Sequence, residues 1–202
     1  MALFSTPRII YLLFPKWTWV GREKNAVYLT FDDGPNKEFT PWLLTFLKDR
    51  NVKATFFCVG DRARDFPELI QQITAEGHAI GNHTMNHENG WKTKSADYLA
   101  SVTQSKSYIN SLLFRPPYGK IRISQSIKLR MIGFKIIMWT WLSNDFDASI
   151  STPLILAKSR KIKGGDILVF HDNLKSIEKT KIILPCLIDA MFEKGLCFKI
   201  LT

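Results

Sequence analysis

Short segments of β-branched and aromatic residues alternate along this chain with longer segments that have the spacing of amphipathic helices. The predicted helices have recognisable ends, such as the Thr40-Pro41 pair that opens one and the Gly77 that closes another. Because extended segments separated by helices form parallel sheets, the pattern predicts an α/β fold, either a small barrel or a doubly wound sheet. The seven predicted strands cover residues 27–31, 54–59, 79–83, 113–115, 136–140, 167–171 and 197–201.

The chain is long enough for one domain of ordinary size. Its 202 residues include 46% apolar and 23% charged side chains, close to the averages of globular proteins, which argues against disordered and fibrous classes. No linker, repeat or low-complexity segment divides it. We therefore expect a packed N-terminal arm over residues 1–24 and a single domain over residues 25–202.

The apolar run at residues 9–14 bears on targeting. It is too short to span a bilayer, and Pro15 and Lys16 end it without the small-residue cleavage site of a signal peptide. We therefore expect no transmembrane segment. These features indicate a cytoplasmic protein, with a peripheral membrane contact or export as the open alternatives.

The net charge narrows the classes of partner, and the cysteines bear on whether disulfides stabilise the fold. Lys and Arg number 28 against 18 Asp and Glu, a net charge of +10. The basic residues are scattered without a nucleic-acid-binding signature, so we expect a basic surface that favours acidic partners and no nucleic-acid partner. Three cysteines, Cys58, Cys186 and Cys197, form no CxxC pair and leave one over, which argues against a disulfide framework.

Ionisable residues recur at the ends of the predicted strands. The carboxyl ends of strands in barrels and open α/β sheets open on a common face, where active sites are built. Residues that follow different strands are therefore expected to converge on one site. The residues in these positions are Asp32, Asp33, His83, His87, Arg115, Asp145 and His171.

Asp33 and two histidines have the composition of a catalytic metal site. Adjacent carboxylates at Asp32 and Asp33, directly after a strand, are costly unless paired or bound to a cation, although they also suit a plain turn with solvated carboxylates. His83 and His87 are four residues apart, which places both imidazoles on one face of a helical turn, although such pairs also occur as plain surface histidines. Together with Asp33 they supply three ligands and leave an open position, as in catalytic zinc sites.

Two further segments carry residues suited to catalysis. Arg115 begins the stiff segment Arg115-Pro116-Pro117-Tyr118-Gly119, where it can pair with a carboxylate and where backbone N–H groups after the prolines can face an oxyanion. His171 ends a buried strand, where a satisfied core histidine is the ordinary interpretation. Its position at the same sheet end as the other groups favours a catalytic role, with Asp145 as the residue that orients it.

These motifs together resemble the polysaccharide deacetylases, the NodB-homology group of carbohydrate esterase family four. The resemblance covers roughly residues 26–201, and five motifs occur in the family's order. They are TFDDG at residues 30–34, HTxxH at residues 83–87, RPPYG at residues 115–119, Asp145-Phe146, and the strand-end His171.

The resemblance implies a distorted (β/α) barrel of about seven parallel strands, with residues 25–202 as the catalytic domain. It implies one divalent metal ion, Zn²⁺ with Co²⁺ as the alternative, held by Asp33, His83 and His87. Asp32 would be the general base, oriented by Arg115, and the backbone N–H of Tyr118 would stabilise the oxyanion. His171, oriented by Asp145, would be the general acid.

The implied reaction is removal of N-acetyl groups from a GlcNAc-containing glycan, such as peptidoglycan or a chitin-like oligomer, with release of acetate. One alternative is a hydrolase of the same fold that acts on O-acetyl xylan or on another non-peptide amide. The other is a catalytically silent glycan-binding module. Pro117, Tyr118 and Val169 would contact substrate.

The last expectations concern two tryptophans and the positions at which the sequence departs from the family's motifs. Trp91 would stack on a sugar ring unless it is a packing anchor, while Trp139 is predicted to lie in the core. The sequence departs from the family's fourth motif at Leu142 and Phe146, which stand where aspartate and tryptophan are usual. It departs from the last motif at Val169, which replaces leucine.

Overall fold

The computed structural model describes residues 4–202 and consists of a curled parallel sheet surrounded by helices. Seven strands form a continuous path in the order β5-β4-β3-β2-β1-β7-β6, and β8 pairs with the start of β1. All of these pairings are parallel. The strands are β1 (Ala26–Asp32), β2 (Thr55–Cys58), β3 (Ala79–Asn82), β4 (Leu113–Phe114), β5 (Lys135–Ile136), β6 (Trp141–Leu142), β7 (Ile167–His171) and β8 (Cys197–Phe198).

Within residues 4–202, eight helices pack around this sheet. They are α1 (Arg8–Leu13), α2 (Thr40–Asp49), α3 (Gly60–Asp65), α4 (Pro67–Ala75), α5 (Ser95–Ser105), α6 (Ile123–Met131), α7 (Thr152–Ser159) and α8 (Ile177–Glu193). A short 3₁₀ turn at Pro117–Gly119 follows β4. No helix within residues 4–202 is long and apolar enough to cross a membrane.

The sheet curls into a half-barrel, which its connectivity requires. β5 and β6 lie at opposite ends of the strand path, yet only residues 137–140 separate them in the chain. Five residue steps reach at most about 18 Å, whereas six strand spacings in a flat sheet span about 29 Å. The two edges must therefore approach each other. This confirms the predicted barrel and excludes the doubly wound alternative.

One predicted strand is wrong in extent, because barrel closure divides it. Residues 136–140 read as a single strand, but β5 ends at Ile136 and the next four residues cross between the sheet edges. β6 then begins at Trp141 and pairs with β7. The predicted final strand at residues 197–201 is also shorter, because β8 covers only Cys197–Phe198.

The N-terminal segment lies between the two edge strands. Ser5 forms an antiparallel bridge with Trp141 of β6, and Thr18 forms a parallel bridge with Ile137, just after β5. Thr6 N also donates to the carbonyl of Thr140 at 3.0 Å. Residues 4–18 thus occupy the seam of the half-barrel. The division at residue 24 stays a prediction, and residues 1–3 of the proposed arm lie outside the described residues.

The alternation of side chains along β1 separates the helical layer from the barrel interior. Leu29 and Phe31 join an apolar cluster formed with α2 and α8. Thr30 and Asp32 point to the opposite face, because side chains alternate along a strand. There both contact Arg115. Asp32 therefore ends β1 on the interior side, at the carboxyl end of the sheet.

Candidate active site

A cavity of about 820 Å³ opens at the carboxyl ends of the strands. This is the sheet end at which the ionisable residues were expected to meet, and it brings together residues that follow β1, β3, β4 and β7. The cavity lining includes Asp32, Asp33, His83, His87, Tyr118 and His171. Arg115 and Asp145 lie behind the lining and contact it through Asp32 and His171.

Asp33, His83 and His87 form a cluster with the dimensions of a metal site. Their ligand atoms all lie within 4.8 Å of one another. Asp33 Oδ1 is 3.1 Å from His87 Nε2 and 3.7 Å from His83 Nε2. Two imidazoles and one carboxylate give a three-ligand set with room for a further ligand, which suits a catalytic zinc-type ion.

The backbone around the two histidines differs from the expected helical turn. Residues 83–87 form an irregular bend after β3, in which Thr84 and His87 have φ values of 65° and 59°. The imidazole rings still converge, with centroids 5.0 Å apart. The prediction of a helical turn is wrong because left-handed residues, rather than α-helical periodicity, turn His87 back toward His83.

Hydrogen bonds and burial set the orientation of His83 and the charge of the cluster. His83 Nδ1–H donates to the carbonyl of Arg115 at 2.7 Å, which leaves Nε2 facing Asp33. Burial lowers the pKa of His83 to about 4, so the imidazole is neutral, as a metal ligand must be. Burial alone would raise the pKa of Asp33, but the hydrogen bond from His87 and the neighbouring histidines outweigh it and hold that pKa well below its usual range.

A second pair, Asp32 and Arg115, lies beside this cluster. Arg115 is fully buried, and its Nη1 donates to Asp32 Oδ1 at 2.7 Å and to Thr30 Oγ1 at 2.6 Å. Nη2 donates to the carbonyl of Met138 at 3.2 Å, and the guanidinium lies 4.0 Å from the centroid of the Phe57 ring. These contacts fix the guanidinium from several sides and position the Asp32 carboxylate at the cavity.

A third pair, His171 and Asp145, lies on another wall. His171 Nδ1–H donates to Asp145 Oδ1 at 2.7 Å, and the backbone N–H of His171 donates to Asp145 Oδ2 at 2.9 Å. Thr180 and Ser143 also donate to this buried carboxylate. Burial lowers the pKa of His171, but the charge and hydrogen bond of Asp145 more than offset it and raise the pKa to about 9.

Residues 20–136 match the sequence model of the family described as polysaccharide deacetylase. The chain belongs to this family. A peptidoglycan-N-acetylglucosamine deacetylase of Bacillus cereus is 42% identical over 123 residues, which is 58% of this chain and 45% of the relative. The matched region thus spans less than half the length of that relative. A second protein of that description from the same organism is 31% identical over 189 residues, 90% of this chain and 89% of the relative.

Solved structures extend the family likeness to the fold. The Bc1960 peptidoglycan N-acetylglucosamine deacetylase, solved in complex with 4-naphthalen-1-yl-N-oxidanyl-benzamide, superposes with a TM-score of 0.88 at 31% identity. The superposition covers 97% of this chain and 95% of the solved one. The family resemblance and the barrel expected from the sequence motifs are therefore both confirmed.

Two of the three residues expected to contact substrate line the cavity of this member of the deacetylase family. Tyr118 and Val169 line the cavity, whereas Pro117 does not and the neighbouring Pro116 does. Tyr118 is 60% exposed, and its hydroxyl lies 3.1 Å from His87 Nδ1. Its φ of 60° lies in the left-handed region, which is uncommon for a bulky residue and typical of functional sites.

Two tryptophans differ in their relation to the cavity from what the sequence suggests. Trp91 lies outside the cavity lining, because its indole N–H donates to the carbonyl of Ile121 at 3.1 Å and the Lys120 ammonium lies 5.5 Å from its ring centroid. These contacts hold it on the outer surface. Trp139, which the sequence pattern assigns to the core, packs against the apolar core as expected and also lines the cavity. Trp139 lies in the segment that crosses between the sheet edges, and its side chain therefore reaches the site.

The departures from the family's fourth motif also lie at the cavity. Leu142 and Phe146 both line its wall. The Phe146 ring packs edge-on against His171, with centroids 4.7 Å apart. The smaller aromatic ring at this position therefore still contacts the imidazole, and the contact between Asp145 and His171 is intact.

Asn173 is a site residue that sequence reasoning missed. Its Nδ2 donates to Asp33 Oδ2 at 2.7 Å, which leaves Oδ1 facing the two histidines. Asn173 follows β7 by two residues, so it meets the strand-end criterion that identified the other residues. The criterion of ionisable strand-end residues does not identify it because an amide carries no charge, although an amide can also orient a metal ligand by hydrogen bonding.

Asp172 was also missed and supports the turn that carries Asp33. It is fully buried, and its Oδ2 accepts a hydrogen bond from Thr40 Oγ1 at 2.5 Å. Burial raises the pKa of Asp172 to about 7 despite this hydrogen bond. A Cβ atom at Gly34 would lie 2.2 Å from Asp172 Oδ2, so the close packing of this turn requires glycine.

Proposed function

We propose that this protein is a metal-dependent deacetylase that removes N-acetyl groups from a GlcNAc-containing glycan, peptidoglycan or a chitin-like oligomer, and releases acetate. One observation carries the proposal. The Asp33–His83–His87 cluster, the Asp32–Arg115 pair and the Asp145–His171 pair converge on one open cavity. Metal ligation, a base and an acid are the groups that amide hydrolysis needs.

The donor set supports a divalent ion as the cofactor. Asp33 supplies a charged oxygen, and His83 supplies a neutral nitrogen whose other ring nitrogen is already bonded. This combination of imidazole and carboxylate suits Zn²⁺, with Co²⁺ as the alternative. When bound, such an ion supplies Lewis-acid polarisation of water and of the amide carbonyl.

Asp32 is assigned the role of general base. Its carboxylate lines the cavity and is adjacent in sequence to the ligand Asp33. It removes a proton from the attacking water, and the oxygen of that water forms a bond to the amide carbon. Arg115 is a positioning residue, because its two-fold contact with Asp32 and Thr30 restrains the carboxylate without reaching the substrate.

The second half of the reaction requires an acid and an oxyanion donor. A pKa raised to about 9 keeps His171 protonated at neutral pH, so it can donate a proton to the departing nitrogen as the C–N bond breaks. Asp145 positions this imidazole. The backbone N–H of Tyr118 is assigned to the oxyanion. The products are acetate and a free amino sugar.

The test is acetate release from GlcNAc oligomers, peptidoglycan and acetylxylan by the Zn²⁺-loaded and Co²⁺-loaded protein. We expect release from the N-acetylated glycans, and its loss after chelation, in Asp33→Ala and in His171→Ala. Binding of the glycan should persist in His171→Ala, because that side chain acts only in the reaction.

Three outcomes would contradict the proposal. Release that survives both chelation and Asp33→Ala would exclude metal dependence. Release from acetylxylan alone would move the activity to O-acetyl esters. Glycan binding without any acetate release would indicate a silent binding module.

A further inference from the structure

Helix α6 carries an apolar stripe that points into solvent. Ile123, Ile127 and Met131 are 62%, 47% and 80% exposed, and their spacing of four residues aligns them along one side of the helix. Ile132, directly after the helix, is 55% exposed. These four residues are called the α6 stripe below. Single exposed apolar residues are ordinary, but a contiguous row on one helix face indicates an interaction site.

The buried side of α6 shows that this orientation is specific. Gln125 is fully buried, and its Nε2 donates to the carbonyl of Gly90 at 2.9 Å while its Oε1 accepts from the Arg122 N–H at 2.9 Å. The buried Ser126 donates to the carbonyl of Ile123. A helix packed for stability alone turns its isoleucines inward and its glutamine outward. Here Leu129 packs in the core beside these satisfied polar contacts, and the isoleucines face outward.

The charges around the stripe indicate its partner. Residues 98–144 contain no Asp or Glu, but they contain seven Lys and Arg residues. Lys128 and Arg130 lie on α6 itself, and at 100° per residue they flank the stripe on its two sides. Arg122 and Lys135 are exposed just before and after the helix. The stripe therefore has a positively charged border without a compensating acid in this segment.

We propose that the α6 stripe and its basic border form a docking surface for an anionic lipid bilayer. The apolar side chains would enter the boundary between headgroups and acyl chains, while Lys128 and Arg130 contact lipid phosphates. The same charges disfavour a second copy as the occupant, because two α6 faces would bring basic borders together. Lys120 lines the catalytic cavity and precedes α6 by three residues, so docking would hold the cavity close to the membrane surface.

The test is co-sedimentation of the full chain with vesicles of phosphatidylcholine, alone or mixed with phosphatidylglycerol. We expect binding to the mixed vesicles only, with the partition coefficient falling as salt is raised. Ile127→Ser/Met131→Ser and Lys128→Ser/Arg130→Ser should each lower that coefficient about tenfold. Both pairs are on the surface, so their melting temperatures should equal that of the unmodified protein.

Matched variants elsewhere on the surface complete the design. Ile182→Ser removes an isoleucine that is 56% exposed on α8, and Lys161→Ser/Lys163→Ser removes two exposed charges. Both should bind vesicles normally. Equal losses in these variants, equal binding to neutral vesicles or no binding at all would overturn the proposal. So would a concentration-dependent dimer that Ile127→Ser/Met131→Ser abolishes. Acetate release by these variants in solution should be unchanged, which separates this proposal from the proposed hydrolase activity.

Discussion

Replacing Arg115 with methionine is expected to destabilise the protein far more than the loss of a surface charge. Arg115 is fully buried, and its guanidinium is bonded to Asp32 and Thr30 at 2.7 and 2.6 Å. Methionine occupies a similar volume but supplies no charge and no donor. Asp32, which is 4% exposed, would then be left without its counter-charge.

The size of the effect follows from this burial. Removing one partner of a buried ion pair costs about 3–5 kcal/mol, because the other charge is left uncompensated. The whole free energy of unfolding of a domain is about 5–15 kcal/mol. At about 2–4 °C per kcal/mol for a chain of this length, the melting temperature should fall by about 6–20 °C.

Urea unfolding followed by circular dichroism measures the change. The matched control is Arg50→Met, which breaks an exposed ion pair with Asp189 and should cost less than about 1 kcal/mol. The double variant Arg115→Met/Asp32→Asn removes both charges of the buried pair. It should be more stable than Arg115→Met alone by about 1–3 kcal/mol, because no charge remains uncompensated.

Two results would refute this reasoning. A cost for Arg115→Met no larger than that of Arg50→Met would mean that the buried pair contributes no more than a surface pair. Strict additivity of the two single substitutions at positions 115 and 32 would mean that the cost does not arise from the unpaired carboxylate.

The remaining predictions concern the other parts of the fold and the site. Asn173→Ala should weaken Zn²⁺ binding about 10–100-fold in calorimetric titration, because it frees Asp33 to rotate; unchanged affinity would exclude a positioning role. Asp145→Asn should lower the pKa of His171 from about 9 towards its ordinary value of 6.5 in an NMR titration, because the charge and hydrogen bond of Asp145 are the main causes that raise it. The folded pKa lies above the ordinary value, so the His171 contribution to stability is full below about pH 6.5 and lost as pH rises through about 9. This slope should disappear in Asp145→Asn. Phe4→Ala should cost about 3 kcal/mol in urea unfolding, because this buried ring belongs to the main apolar cluster.

The site was largely predictable because it depends on two simple regularities. Side chains alternate along a strand, and parallel strands end on the same face. Asp32, His83 and His171 could therefore be placed together from strand ends alone. Asn173 obeys the same rule and was missed only because amides carry no charge, so the criterion of ionisable residues was too narrow.

The remaining features could not be predicted from local sequence pattern because they depend on tertiary structure, above all on the closure of the half-barrel. Residues 136–140 are apolar and β-rich throughout, but the half-barrel takes them across its seam rather than into one strand. The same closure turns Trp139 toward the cavity. On α6, a spacing of four residues between Ile123 and Ile127 is that of a buried face, but the helix instead buries Leu129 in the core beside the hydrogen-bonded Gln125.

Arg115 connects the proposed metal site with the proposed base through different parts of one residue. Its backbone carbonyl accepts the hydrogen bond that orients His83, while its guanidinium holds Asp32. Methionine at this position keeps the carbonyl and loses only the guanidinium. Folded Arg115→Met should therefore retain Zn²⁺ affinity while losing acetate release. Substitution of this residue thus separates metal binding from base positioning, which variants of Asp33, a proposed ligand beside that base, cannot do.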